Sequence, residues 1–186
     1  MMRRLIGTCR NFADSTRGVA AIEFAAILPV MVVIFLASYD GGRAIAGYMK
    51  VRTATFALAS ITNQYATISS TDMSAILSAT SVVMSPYTAP APTVTVSQIK
   101  ISNTGVATIE WSASQNGTAR AVGSAITPPA AMIVNSSYLI LAEVTFTYIP
   151  LFGFFGPSTG ITFADNLYVT PRSVSCVVYT VQSSTC

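Results

Sequence analysis

From Val19 to Tyr39 the sequence VAAIEFAAILPVMVVIFLASY is apolar except at Glu23, Ser38 and the tip of Tyr39. A helix of about 20 such residues spans a bilayer, so this stretch predicts a transmembrane helix. Helical spacing continues beyond it: Gly41 to about Ala66 contains no proline and places Ile45, Tyr48, Met49, Phe56, Ala59 and Ile61 at roughly helical spacing. Gly41-Gly42 is expected to weaken this helix locally. Ser69 to Asp72 offer cap residues for a second, shorter helix carrying Met73, Ile76, Leu77 and Val83 and stopped by Pro86.

Beyond a linker at Pro86 to Pro92 the period changes to alternation. Val94, Val96, Ile99 and Ile101 lead into the turn Ser102-Asn103-Thr104-Gly105, and Val106 to Ser114 returns as a hairpin partner with Trp111 as its expected core anchor. Thr118 to Ser137, small and polar with Pro128-Pro129, reads as an irregular connection. Tyr138 to Tyr148 alternates cleanly until Pro150, and further strands are expected at Asn166 to Thr170 and Arg172 to Val181. Between them lies the aromatic loop Leu151-Phe152-Gly153-Phe154-Phe155-Gly156-Pro157. Docking on the domain, a membrane surface and a partner subunit are all open to it, and internal packing is the favoured expectation because exposed apolar loops are costly. The pattern as a whole predicts an α+β chain with a long N-terminal transmembrane helix, a second short helix and an antiparallel β-sheet. Its segments are residues 1–18, 19–39, 40–92 (helical region and linker) and 93–186 (mainly β).

Composition agrees with a membrane segment. Charged residues make up 9% of the 186-residue chain and hydrophobic ones 52%, whereas an ordinary soluble domain is about 25% charged. The length accommodates one anchor and one domain of roughly 100 to 150 residues. Arg3, Arg4, Arg10 and Arg17 against Asp14 put the net charge of +3 ahead of the apolar run. With Asp40 on the far side, the positive-inside rule places the N-terminus in the cytoplasm and residues 40–186 outside. The remaining cations are scattered, which argues against a nucleic-acid partner, since phosphate binding needs clustered Lys and Arg.

A cleaved secretory signal is a competing reading of the N-terminus. Its apolar core usually runs to about 7–15 residues and is closed by a small-residue site; here the run is longer, contains Glu23 and lacks a clear A-x-A sequence. A lipoprotein signal fails too, because Cys9 precedes the apolar run. Glu23 is the most informative residue. A carboxylate at bilayer depth costs roughly 2.5–3.5 kcal/mol on insertion scales, so something must compensate it. Cleavage after Gly18 would give Val19 an ammonium able to meet such a carboxylate, in the same or a neighbouring subunit. The plainer alternative is an ordinary anchor whose Glu23 stays solvated near the headgroups.

Arg17-Gly18 followed by Val19-Ala20-Ala21-Ile22-Glu23-Phe24 resembles the leader-cleavage motif of type IV prepilins. The continuation Ala25-Ala26-Ile27-Leu28-Pro29-Val30, with Tyr39-Asp40-Gly41-Gly42-Arg43, resembles the TadE-like family, the minor pilins or pseudopilins of bacterial tight-adherence (Flp, type IVb) pili. A looser likeness, a strand ending in Tyr148-Ile149-Pro150 and a late strand near Pro171-Arg172, extends it along the chain. The resemblance implies a pilin-like fold in the bacterial inner membrane and a basic leader (residues 1–18) removed by a prepilin peptidase between Gly18 and Val19. It further implies assembly contacts at Glu23 and Phe24, with other pilin subunits and the pilus assembly platform as partners. Phe24 stands where major Flp pilins carry tyrosine, and the long exported part also departs from those short subunits; both point to a minor component.

Other chemistry is thin. The chain has no histidine, which excludes His-based triads and histidine metal sites. The exported acids Asp40, Asp72, Glu110, Glu143 and Asp165 form neither a calcium-loop pattern nor an evident catalytic pair, and no P-loop or dinucleotide fingerprint is present. The expectation is therefore no enzyme, no cofactor and no metal, with an anchored hydrolase as the remote case. Cys176 and Cys186, on the exported side, are candidates for a disulfide, while Cys9 falls on the reducing side. Two functional readings remain: a minor pilin assembling with its fellows, or a single-pass anchored envelope domain that binds a ligand or protein and never enters a filament.

Overall fold

The computed structural model describes residues 18–87, 89–152 and 160–182. The chain divides into two units, residues 1–42 and 43–186. Helix α1, Val19–Thr62, begins in the first and ends in the second. None of its most apolar stretch is buried, and the run from Val19 to Tyr39 rises about 30 Å, the thickness of a bilayer core. The helix continues through Pro29 and through Gly41-Gly42, so the expected weakening at the glycines does not interrupt it. A Cβ at either glycine would meet nothing; neither is required by packing.

In the second unit α1 is two-faced. Val51, Ala54, Leu58 and Ala59 are buried, whereas Ile45, Met49 and Phe56 are exposed on the other side. Buried Thr55 donates its hydroxyl to the Val51 carbonyl at 2.9 Å, which removes the cost of placing it there. The helix stops at Thr62, earlier than the periodicity predicts. Carbonyls just past its end are taken by the C-terminal segment: Asn63 O accepts from Arg172 N at 3.1 Å, and Gln64 O from Ser173 Oγ at 2.9 Å.

Strand β1 (Thr67–Ile68) leads into α2 (Ser70–Val83). The α2 N-terminus is a capping box in which Asp72 N donates to Ser69 Oγ and Ser69 N to the Asp72 carboxylate. Met73, Ile76 and Leu77 of α2 enter the core, as the periodicity predicts. Strands β2 (Thr93–Ile101), β3 (Ala107–Gln115), β4 (Ser137–Tyr148) and β5 (Ile161–Val169) form a sheet in the order β3-β2-β4-β5, every neighbouring pair antiparallel. The hairpin turn falls where expected, with Gly105 at φ 81°, a left-handed conformation that favours glycine.

Both faces of the sheet are covered at one end, which alternation did not foretell. Val94, Val96, Trp111, Ala142, Val144 and Phe146 join the core with α1 and α2. On the opposite face Ile99, Ile101, Ile109, Leu139 and Leu141 pack beneath Ile126, Met132 and Ile133 of the irregular 116–136 connection. A bulge makes this possible: Gln98 pairs with Trp111 but Ile99 with Ile109, leaving Glu110 as the extra residue.

The end of the chain departs most from expectation. Strand β5 starts at Ile161, ahead of the predicted Asn166, and the predicted strand Arg172 to Val181 reduces to β6, Val178–Tyr179, parallel to β1. Side chains take over the role of a ladder here. Gln98 Oε1 accepts from Val177 N at 2.7 Å, Trp111 Nε1 donates to Val177 O at 2.8 Å, and the Gln182 amide bonds both Ser112 N and Ser112 O. Together with the bonds from residues 123–126 to Ala107 and Ile109, this seals the outer edge of β3.

Candidate functional site

The segment that the sequence singles out is the start of α1. Gly18 directly precedes the helix, and Val19 and Glu23, four residues apart within it, share a face. Val19, Glu23 and Phe24 are all exposed. Among the described residues the Glu23 carboxylate has no hydrogen-bond or ion-pair partner. Ser38, by contrast, donates its hydroxyl to the Ile34 carbonyl at 2.8 Å, so the helix satisfies it locally. Glu23 is thus a charge on an apolar, exposed helix face with nothing in its own described chain to offset it. Residues 1–17, with the expected basic leader and Cys9, lie outside the described residues.

The exported pair of cysteines is placed only in part. Cys176 is buried beside the Val177 clamp, and Cys186 lies outside the described residues. Burial of Cys176 is consistent with a residue fixed by its surroundings.

One constellation has no signature in the sequence. Arg120, from the connection after β3, meets Glu143 of β4 in a two-pronged ion pair, Nε to Oε2 at 2.9 Å and Nη2 to Oε1 at 2.6 Å. Glu143 holds the guanidinium above its ordinary pKa. The pair sits in a cleft of about 260 Å³ with Thr93, Thr95, Thr118 and Thr145. Register explains the threonines: Thr93 opposes Thr145, and Thr95 opposes Glu143. The 23-residue separation of the two charges, bridged by an irregular segment, left no pattern to read. A second cleft of about 280 Å³ runs between α2 and the end of β3 beside Ser70, Ser74 and Ser78. Among the described residues no cluster of three metal-ligating side chains occurs.

In the aromatic loop Leu151 is 65% exposed and Phe152 41%, as is neighbouring Ile149 at 57%; the expectation of internal packing falls mostly on residues 153–157, outside the described residues. Phe154 and Phe155 lie outside the described residues.

Compared with known families, residues 18–59 match the family model described as TadE-like protein. The match bears out the resemblance over the apolar run and the helix after it. The looser likeness at Tyr148-Ile149-Pro150 and Pro171-Arg172 falls outside the matched residues. No curated protein and no solved structure matches the chain.

Proposed function

We propose that the chain is a minor pilin of a tight-adherence pilus, anchored by α1 in the bacterial inner membrane with its N-terminus in the cytoplasm and residues 40–186 outside. The match to the TadE-like family over residues 18–59 supports the pilus association. The single observation that carries the finer reading is Glu23, an uncompensated carboxylate one helical turn after Val19 in an otherwise apolar span. A prepilin peptidase cuts between Gly18 and Val19, and the new ammonium meets a Glu23. Within one chain the pair shares a helix face; between subunits, the same pairing sets the axial register of two helices. Either way a penalty of roughly 2.5–3.5 kcal/mol for the carboxylate in lipid is offset only after processing.

Phe24 and the apolar face around it supply the contact with neighbouring pilin helices, and the small residues Ala20, Ala21, Ala25 and Ala26 let those helices approach closely. In the second unit the exposed Ile45, Met49 and Phe56 offer a further apolar surface to other subunits or the assembly platform. On this reading the protein is structural, not an enzyme, and the Cys176–Cys186 pair closes a disulfide that pins the C-terminal segment.

Substituting Glu23 separates this reading from a plain anchor. Glu23→Leu should insert as well as the parent yet fail to support pilus assembly in cells lacking the native copy. Unimpaired pilus assembly by that variant would show that Glu23 has no pairing role.

A further inference from the structure

We infer that the cleft between the Arg120–Glu143 pair and the threonines of β2 and β4 is a binding site for a neutral saccharide, taken one sugar ring at a time. The site lies wholly within the second unit, and the inference is independent of the pilus reading.

The register of the sheet carries the argument. On the face turned away from α2, successive residues of β2 are Thr93, Thr95, Ser97, Ile99 and Ile101, and β4 sets Thr145, Glu143, Leu141, Leu139 and Ser137 opposite them. The face therefore changes character halfway along both strands. Its aliphatic half packs beneath the 116–136 connection, whereas its hydroxyl half opens into the cleft.

The turn after β3 builds the wall of that cleft. Only glycine fits at position 117, because a Cβ there would fall 2.5 Å from the Thr93 side chain. Asn116 just before it stands at φ 57°, and its carbonyl accepts from Thr93 Oγ1 at 3.0 Å. The returning chain is pinned where Arg120 N donates to Ser112 Oγ of β3 at 3.0 Å, while the Arg120 side chain reaches Glu143 on β4. Strand β2 lies between β3 and β4, so the guanidinium passes over β2 and closes one side of a floor made by Thr93, Thr95 and Thr145.

This lining presents donors and acceptors without net charge. Arg120 and Glu143 are the two charged residues among those lining the cleft, and they cancel. An anion would have to compete with Glu143 for the guanidinium, and a cation with Arg120 for the carboxylate. The pair occupies Nε–H and one Nη2–H of the guanidinium, which leaves further N–H donors, and each carboxylate oxygen keeps acceptor capacity. Thr93 gives its hydroxyl hydrogen to Asn116 O and can still accept. The hydroxyls of Thr118 and Thr145 have no partner among the described residues. Vicinal hydroxyls of a sugar match such a set: one donates to the carboxylate, its neighbour accepts from the guanidinium, and the others exchange hydrogen bonds with threonine. At about 260 Å³ the cleft is smaller than the roughly 300–1,000 Å³ of pockets for drug-sized ligands, which suits a single ring. Glycoside cleavage ordinarily takes two carboxyl groups, and Glu143 is the one acid lining the cleft; the site binds without cutting.

The test uses the full chain in phosphatidylcholine nanodiscs, free of glycoside detergents, and saturation-transfer NMR. The probes are the methyl glycosides of glucose, galactose, mannose and N-acetylglucosamine, with N-acetylneuraminate as an anionic comparison. Each is titrated to about 50 mM, above the millimolar dissociation constant expected of so small and polar a ligand. At least one neutral glycoside should receive saturation. Thr145→Val should weaken its binding about threefold to tenfold, and Arg120→Met, which removes charged donors, about tenfold or more. Ser74→Ala, in the separate cleft beside α2, should leave it unchanged. Emission of the fully buried Trp111 reports that each variant is folded. No transfer to any neutral glycoside overturns the inference, as does unchanged affinity in Thr145→Val or Arg120→Met with native Trp111 emission. Tighter binding of N-acetylneuraminate than of every neutral probe also overturns it, since that result marks an anion site.

Discussion

The indole N–H of Trp111 donates to the Val177 carbonyl at 2.8 Å across 66 residues of sequence, inside a fully buried site. Val177's own N–H goes to the buried Gln98 side chain. A C-terminal segment with a single two-residue strand is thereby held by two core side chains. Trp111→Phe keeps most of the ring volume but leaves a buried carbonyl without its donor. We expect it to lower stability by about 1–3 kcal/mol, measured by denaturant unfolding of the detergent-solubilised chain. A loss much smaller than this would mean that the carbonyl finds another donor.

The Ser69–Asp72 capping box gives a prediction with a pH dependence. Ser69→Ala should destabilise the domain by about 1 kcal/mol. Hydrogen bonds from the Ser69 hydroxyl and backbone N–H hold the Asp72 carboxyl below its ordinary pKa. Since the folded value lies below the unfolded one, near 3.9, Asp72 contributes stability that is complete above about pH 4 and fades as pH falls through the lower, folded value. Asp72→Asn should therefore flatten the acid side of the stability profile and leave its shape near neutrality unchanged. Thermal melts of the two proteins from pH 2.5 to 7 check this.

Asp165 guards an edge. Among the described residues no strand pairs with the outer side of β5, and Asp165 sits on the core-facing register of that strand, opposite buried Val144. An inward-pointing charge on an edge strand discourages pairing with another chain. Asp165→Val should leave the monomer folded but raise self-association, seen as a heavier species in sedimentation velocity; an unchanged distribution would remove this role from Asp165.

The Arg120–Glu143 pair looks strong by distance, yet both side chains are partly solvent-exposed. A double-mutant cycle with Arg120→Met and Glu143→Gln should give a coupling below about 1 kcal/mol. A much larger coupling would point to a cleft drier than its exposure suggests.

Much of this architecture was legible because local signals dominate it. The apolar run, the Ser69 cap and the Gly105 turn each act within a few residues, and α1, α2 and the first hairpin follow. What stayed hidden depends on distant residues. Arg172 and Ser173 take the carbonyls at the end of α1, so the helix ends before its periodicity does. Gln98 and Trp111 substitute for a ladder along the last segment, which reads as a strand only when its partners are ignored. Ile126, Met132 and Ile133 cover the second face of the sheet from a connection that reads as small, polar and irregular. At the candidate site the residues were readable, Gly18, Val19, Glu23 and Phe24 among them, because an isolated carboxylate in an apolar helix is conspicuous in sequence as in structure.

The central claim is that cleavage creates the partner of Glu23, and the mature N-terminus tests it most directly. The full chain is to be expressed in bacterial cells with and without the prepilin peptidase of a tight-adherence system, and its N-terminal residues sequenced from the membrane fraction. The account predicts a peptidase-dependent product beginning Val19-Ala20-Ala21-Ile22-Glu23. An intact chain in the presence of the peptidase, or a product cut anywhere other than after Gly18, would contradict it.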